Sequence, residues 1–164
     1  MYLTRGDLDR ALALYQESLQ LLEQIGDLQG KAASLHQMAQ VYLTRGDLDR
    51  ALALYQESLQ LKEQIGDLKG KATTLSMLAN VQMVREDFDQ AEVYARQALQ
   101  LAQQLGYVQE SAFNLVKLGQ VAQARSDTVA ALARYREGLA IFDRLGMPEA
   151  EQVRRMIAAL EGGG

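Results

Sequence analysis

Leu48, Ala51, Leu52, Tyr55 and Leu59 recur at the i, i+3, i+4, i+7 spacing that lays one apolar stripe along an α-helix, and Lys62 continues the stripe as its one polar member. A second stripe, Ala32, Leu35, Ala39 and Tyr42, marks a helix just upstream. Glycines cluster between the striped segments, at Gly6, Gly26, Gly30, Gly46, Gly66, Gly70 and Gly106, where turns and helix C-termini use them. Asp47 stands where an N-cap accepts the first free amides of a helix, and Asp49 adds negative charge at its positive end. The same reading makes Asp7, Asp87 and Asp127 caps. The pattern predicts helices near 7–25, 28–45, 48–65, 68–85, 88–105, 108–125, 128–145 and 149–161, with Pro148 in the first turn of the last, where its missing N–H costs nothing.

The stripes are copied. Residues 2–32 and 42–72 differ only at Leu22/Lys62 and Gln29/Lys69, and fainter copies follow at 85–107 and 125–147. Asp7, Asp47, Asp87 and Asp127 stay in register, as do Ala11, Ala51, Ala91 and Ala131. A fixed period of forty is the signature of stacked supersecondary units, each burying its apolar face on its neighbours. The phase places Met1 in the closing part of one helix, so that the chain reads as a lone second helix (7–25), three helix pairs near 28–65, 68–105 and 108–145, and a solvating cap helix (149–161). Gly162–Gly164 reads as a flexible tail. The expectation is one array over 1–161, either a fragment of a longer array or one short of its first half-repeat.

Leu35-x-x-Met38-Ala39-x-x-Tyr42-x-x-x-Gly46-x-x-x-x-Ala51-x-x-x-Tyr55-x-x-Ser58 resembles the tetratricopeptide (TPR) signature. Small residues at Ala39, Ala51 and Ser58 let two helices approach, and Leu35, Tyr42 and Tyr55 fill the space between them. The resemblance covers nearly the whole chain and implies an all-α, right-handed superhelical solenoid of antiparallel helix pairs, about eight helices in all. A period of forty rather than 34 implies longer helices, a form similar to the arrays of the Pins/LGN family and of many bacterial regulatory proteins. The later copies depart from the signature: Gln82 and Ala122 replace the first tyrosine, Ala95 the second, and Glu86 and Ser126 the turn glycine, so those two residues have to accept a left-handed or an adjusted turn.

Composition removes most chemistry. A net charge of −4 offers no electrostatic footprint for phosphates, so no nucleic-acid partner is expected. The absence of cysteine excludes disulfides, thiolate metal sites and cysteine catalysis. No apolar run is long enough to span a membrane, and a reducing, cytoplasmic setting fits. His36 is the single histidine and falls on the side of its helix away from the Leu35/Ala39/Tyr42 stripe, which reads as a surface or groove residue. The carboxylates recur with the repeat instead of breaking it, so they read as caps and, at Glu17 and Glu57, as solvated outer face. Gly26-x-x-x-Gly30 and Gly66-x-x-x-Gly70 read as turns and lack the lysine of a phosphate loop. No enzyme, no metal and no cofactor is expected.

In arrays of this type the first helix of each pair lines the concave face. Its off-stripe positions include His36, Gln37, Gln40, Ser76, Met77, Asn80, Met83, Phe113, Lys117 and Gln120, and only Lys117 among them is charged. A merely solvated helix face carries Glu and Lys, whereas depletion of charge with Gln, Asn, Met and Phe is the composition of an interface. Asn80 matches the asparagine common there in the family, while the basic residues with which chaperone-binding relatives clamp a terminal carboxylate are absent from these positions. The function implied is a non-enzymatic scaffold that binds a peptide or protein segment in the groove. The alternative is a structural, self-assembling segment without a groove ligand. Leu8, Leu12, Tyr15, Leu19 and Leu22 lie on a helix whose stripe lacks part of its cover, and they are the expected surface for a homodimer.

Overall fold

The computed structural model describes residues 5–162, and all of its regular structure there is helical: α1 (Arg5–Ile25), α2 (Leu28–Thr44), α3 (Leu48–Gln64), α4 (Leu68–Val84), α5 (Phe88–Gln104), α6 (Val108–Ala124), α7 (Thr128–Leu145) and α8 (Glu149–Gly162). Expectations for Met1 and for Gly163–Gly164 lie outside the described residues, whereas Gly162 is the last residue of α8 and not part of a tail. From α2 to α6 each helix has 17 residues. Short connections separate them, so the length beyond 34 residues per period resides in the helices.

One turn motif explains the regularity. After α2, Gly46 takes φ 77°. Its N–H donates to the Leu43 carbonyl at 3.0 Å and the Asp47 N–H donates to the Tyr42 carbonyl at 2.9 Å, a Schellman closure. Asp47 then opens α3, its Oδ1 accepting from the Arg50 N–H at 3.3 Å. Asp27, Asp67, Asp87 and Asp127 repeat both roles. Two expectations need correcting. Asp7 lies within the first turn of α1, which starts at Arg5, and so is not an N-cap. Gly30 and Gly70 are helical, in the first turns of α2 and α4; a Cβ on them would stand 2.6 and 2.0 Å from the Oδ2 of Asp27 and Asp67, so the glycines make room for the capping carboxylates. Glu86 and Ser126 do adopt the left-handed turn, at φ 61° and 62°.

The chain divides into two compact units, Met1–Val81 and Gln82–Gly164. In the first, α2 packs between α1 and α3, and α4 lies on α3 through Lys71–Glu63 (2.8 Å). Ala39, Ala51 and Ser58 are fully buried beside Leu35 and Tyr55, as the alternation of small and large residues requires, and the Ser58 hydroxyl donates to the Ala32 carbonyl at 2.7 Å. In the second, α5 turns an alanine face (Ala91, Ala95, Ala98, Ala102) inward, and α6 packs on α5 and α7. The ring of Tyr135 fills the space over Gly119, where a Cβ would approach it to 2.5 Å. α8 closes the unit with Ala150, Val153 and Ile157 against the core that holds Tyr135 and Phe142. No helix among the described residues is long and apolar enough to cross a membrane.

Candidate functional site

Lys62 ends the apolar stripe of α3, where the first copy has Leu22, and it is only 7% exposed. Its Nζ donates to Thr74 Oγ1 of α4 at 2.8 Å and lies 3.5 Å from His36 Nδ1 of α2. Thr74 Oγ1 is itself 3.1 Å from the same ring nitrogen. An ammonium has no lone pair, so Nδ1 must be the acceptor. His36 is therefore the neutral tautomer with its proton on Nε2, and burial, with Lys62 adding to it, pushes its pKa down to about 4. Burial also draws Lys62 below the ordinary lysine range, with Asp67 opposing. The His36 ring meets Tyr55 edge to face at 5.0 Å. His36 is thus half-buried and tied into a polar cluster joining three helices.

His36 and Lys62 of this cluster line a cavity of about 320 Å³ whose other walls include Gln29, Gln37, Asp67, Lys69 and Thr73. Of the remaining positions singled out in the sequence, Gln37 and Gln40 are exposed, and Ser76, Met77 and Asn80 of α4 are half-buried. The cavity brings together only His36 and Gln37 from that set.

Met83, Phe113, Lys117 and Gln120 belong to the second unit, where all four are half-buried. There a separate cavity of about 190 Å³ joins Phe113, Lys117 and Gln120 to Phe142, Glu149 and Met156. Phe113 packs edge to face on Phe142 at 5.1 Å, so part of its surface serves the core. Burial pushes Lys117 down to about 8. Gln120 and Gln152 give this hollow its amides, Lys117 its cation and Glu149 its carboxylate.

On α1 the structure buries Leu8 and Leu12 within the chain and half-buries Tyr15, Leu19 and Leu22. The large apolar side chains that α1 exposes are Leu14, Leu21 and Ile25, at 59%, 62% and 74%. Thr74, Lys62 and Lys69 went unrecognised as site residues. The signal for the lysines was present, since they are the two positions at which the copied segments differ and Lys62 interrupts an apolar stripe.

A family described as the MalT-like TPR region matches residues 1–159. No curated protein matches the sequence at a significant level. Among solved structures, BtubC (BKLC) from P. vanneervenii superimposes with a TM-score of 0.87 at 24% identity, over 94% of this chain and 65% of that one. The apo form of RapI gives 0.90 at 13% identity, over 97% of this chain and 58% of that one. A putative kinesin light chain with nearly identical TPR-like repeats, from Podosopora anserina, gives 0.77 at 14%, over 94% and 78%. The chain thus spans less than two thirds of the length of the first and second of these. At such identities the likeness is one of fold.

Proposed function

Since the chain belongs to the MalT-like TPR family, we propose that it is a non-enzymatic interaction scaffold that binds a peptide or protein segment on the α2 and α4 faces of its first unit, the α6 face of the second unit being a separate surface of like makeup. The observation that carries this reading is the makeup of those faces. Gln37, Gln40, Ser76, Met77, Asn80, Phe113 and Gln120 are uncharged and retain accessible surface, Lys117 being the one charged position singled out there, in a chain where 23% of residues are charged. Amide side chains supply both a donor and an acceptor to an extended backbone, and half-buried Met and Phe supply adaptable apolar contact. A chain without cysteine also suits a reducing, cytoplasmic setting.

Peptides selected from a random-sequence display library against the folded protein provide the probe. Asn80→Ala combined with Gln40→Ala should weaken them by about 1 kcal/mol for each hydrogen bond lost, with the helical spectrum unchanged. Glu17→Ala with Glu57→Ala, on exposed positions of α1 and α3, should leave affinity intact. Equal losses from both pairs would contradict the reading.

A second reading, self-association through α1, is favoured by one comparison. Leu14 and Leu21 are exposed, whereas Leu54 and Leu61, their equivalents in a segment of the same sequence, are half-buried. With Ile25 they line up at i, i+7 and i+11 as one apolar stripe.

A further inference from the structure

From Arg5 to Ile25, α1 differs from the segment that holds α3 only at Leu22, where Lys62 stands. The two helices nevertheless bury this shared sequence unequally. Ala51, Tyr55 and Ser58 of α3 have no exposed surface, whereas their counterparts Ala11, Tyr15 and Ser18 are only half-buried. Identical residues with unequal burial mean unequal neighbours. The neighbour that the two helices have in common is the one that follows each: Lys31 of α2 meets Glu23 of α1 at 2.8 Å, and Lys71 of α4 repeats the pair with Glu63 of α3 at 2.8 Å. α3 also has α2 against its other side. Among the described residues, α1 has no helix in that second place.

We infer that the open face of α1, with Leu14, Tyr15, Ser18 and Leu21 at its middle, docks an amphipathic helix of a partner protein in the way that α2 docks on α3. The α2–α3 contact states the chemistry this helix must carry. The Ser58 hydroxyl donates to the Ala32 carbonyl at 2.7 Å, an approach that small side chains on both helices permit, and Ser18 is the same group on α1. The His36 ring meets Tyr55 edge to face at 5.0 Å, and Tyr15 offers the same ring. Lys31 Nζ lies 3.4 Å from Glu57, whose counterpart is Glu17. The partner helix therefore repeats the buried stripe of α2, small at the places of Ala32 and Ala39 and large at those of Leu35 and Tyr42, with a lysine beside the first small residue. A second copy does not offer this end to end, since α8 has Gln152 and Arg155 forty-fold in register, at three periods, with Ala32 and Leu35. The inference takes the exposed stripe of the self-association reading and names a different occupant for it; the groove on α2 and α4 is not involved.

The chain supplies its own probe: a blocked, fluorescently labelled peptide with the sequence of residues 28–44, titrated with the full chain and followed by anisotropy. Saturable binding is expected for this peptide and not for a scrambled peptide of the same composition. Ser18→Leu should weaken it by about tenfold or more, because Ser58 shows that the docked geometry leaves no room for a larger side chain there. Ser18 is half-buried in the chain alone, and a helical spectrum and melting curve like the parent's verify the fold of this variant. The peptide carrying Lys31→Glu, which needs no change in the protein, should bind roughly two- to fivefold more weakly through repulsion from Glu17. Ser18→Leu keeps the stripe of Leu14 and Leu21, so it separates helix docking from pairing of two copies. Equal binding of native and scrambled peptides would overturn the proposal. So would binding that Ser18→Leu leaves unchanged, which would mark exchange with the chain's own α2 on α3. A dimer that persists in light scattering at saturating peptide would give the face to a second copy and overturn it as well.

Discussion

Tyr55 and Tyr135 occupy the same position eighty residues apart, both are fully buried, and burial raises both hydroxyls to about 12. Their polar ends differ. Tyr135 donates to Gln123 Oε1 at 2.7 Å, whereas the Tyr55 hydroxyl has no partner among the described residues, Leu43 standing where Gln123 does. A net hydrogen bond contributes about 1 kcal/mol, while an unpaired buried hydroxyl is a cost. Tyr135→Phe should therefore lower stability by about 1 kcal/mol, and Tyr55→Phe should be neutral or stabilising; urea denaturation of both variants decides it, and equal losses would count against the assignment. The small–large alternation around these tyrosines was legible in the sequence because packing follows the repeat. The cluster of His36, Lys62 and Thr74 was not, because it joins residues from three helices, and the polar break that Lys62 makes in its own stripe does not say which residues meet it.

Helices were the most legible level. All seven connections between the described helices reuse a left-handed residue followed closely by a capping side chain or a new first turn, and Gly–Asp pairs announce three of them directly. What sequence spacing misplaced were Gly30 and Gly70, since a glycine that admits a capping carboxylate looks the same in one dimension as a glycine that makes a turn. Where the left-handed position lacks glycine, the element carries strain. Ser126, exposed at φ 62°, has no steric reason to keep its side chain. Ser126→Gly should raise stability by up to about 1 kcal/mol, reduced by the greater freedom of glycine in the unfolded chain. A drop in melting temperature for this variant would show that the serine side chain makes a contact worth more than the strain.

At the scale of the whole chain, the sequence displayed its repeat, its helix count and the scarcity of charge among the positions singled out on α2, α4 and α6, where Lys117 is the one charge. It misjudged which α1 residues are exposed. Leu12 belongs to the stripe that packs inward, while Leu14 and Leu21 lie a third of a turn or more away and keep most of their surface. Each buried aliphatic side chain contributes roughly 1.5–3 kcal/mol, enough for several together to hold two copies at high micromolar concentration. Light scattering across a concentration series should show a dimer that Leu14→Glu with Leu21→Glu dissociates, and a monomer throughout would dismiss it. The central claim is that the α2 and α4 faces hold the ligand. The measurement that reaches it most directly is amide chemical-shift mapping with a display-selected peptide: perturbations should centre on Gln37, Gln40, Met77 and Asn80, and a map centred instead on Glu17 and Glu57 or on Leu14 and Leu21 would contradict it.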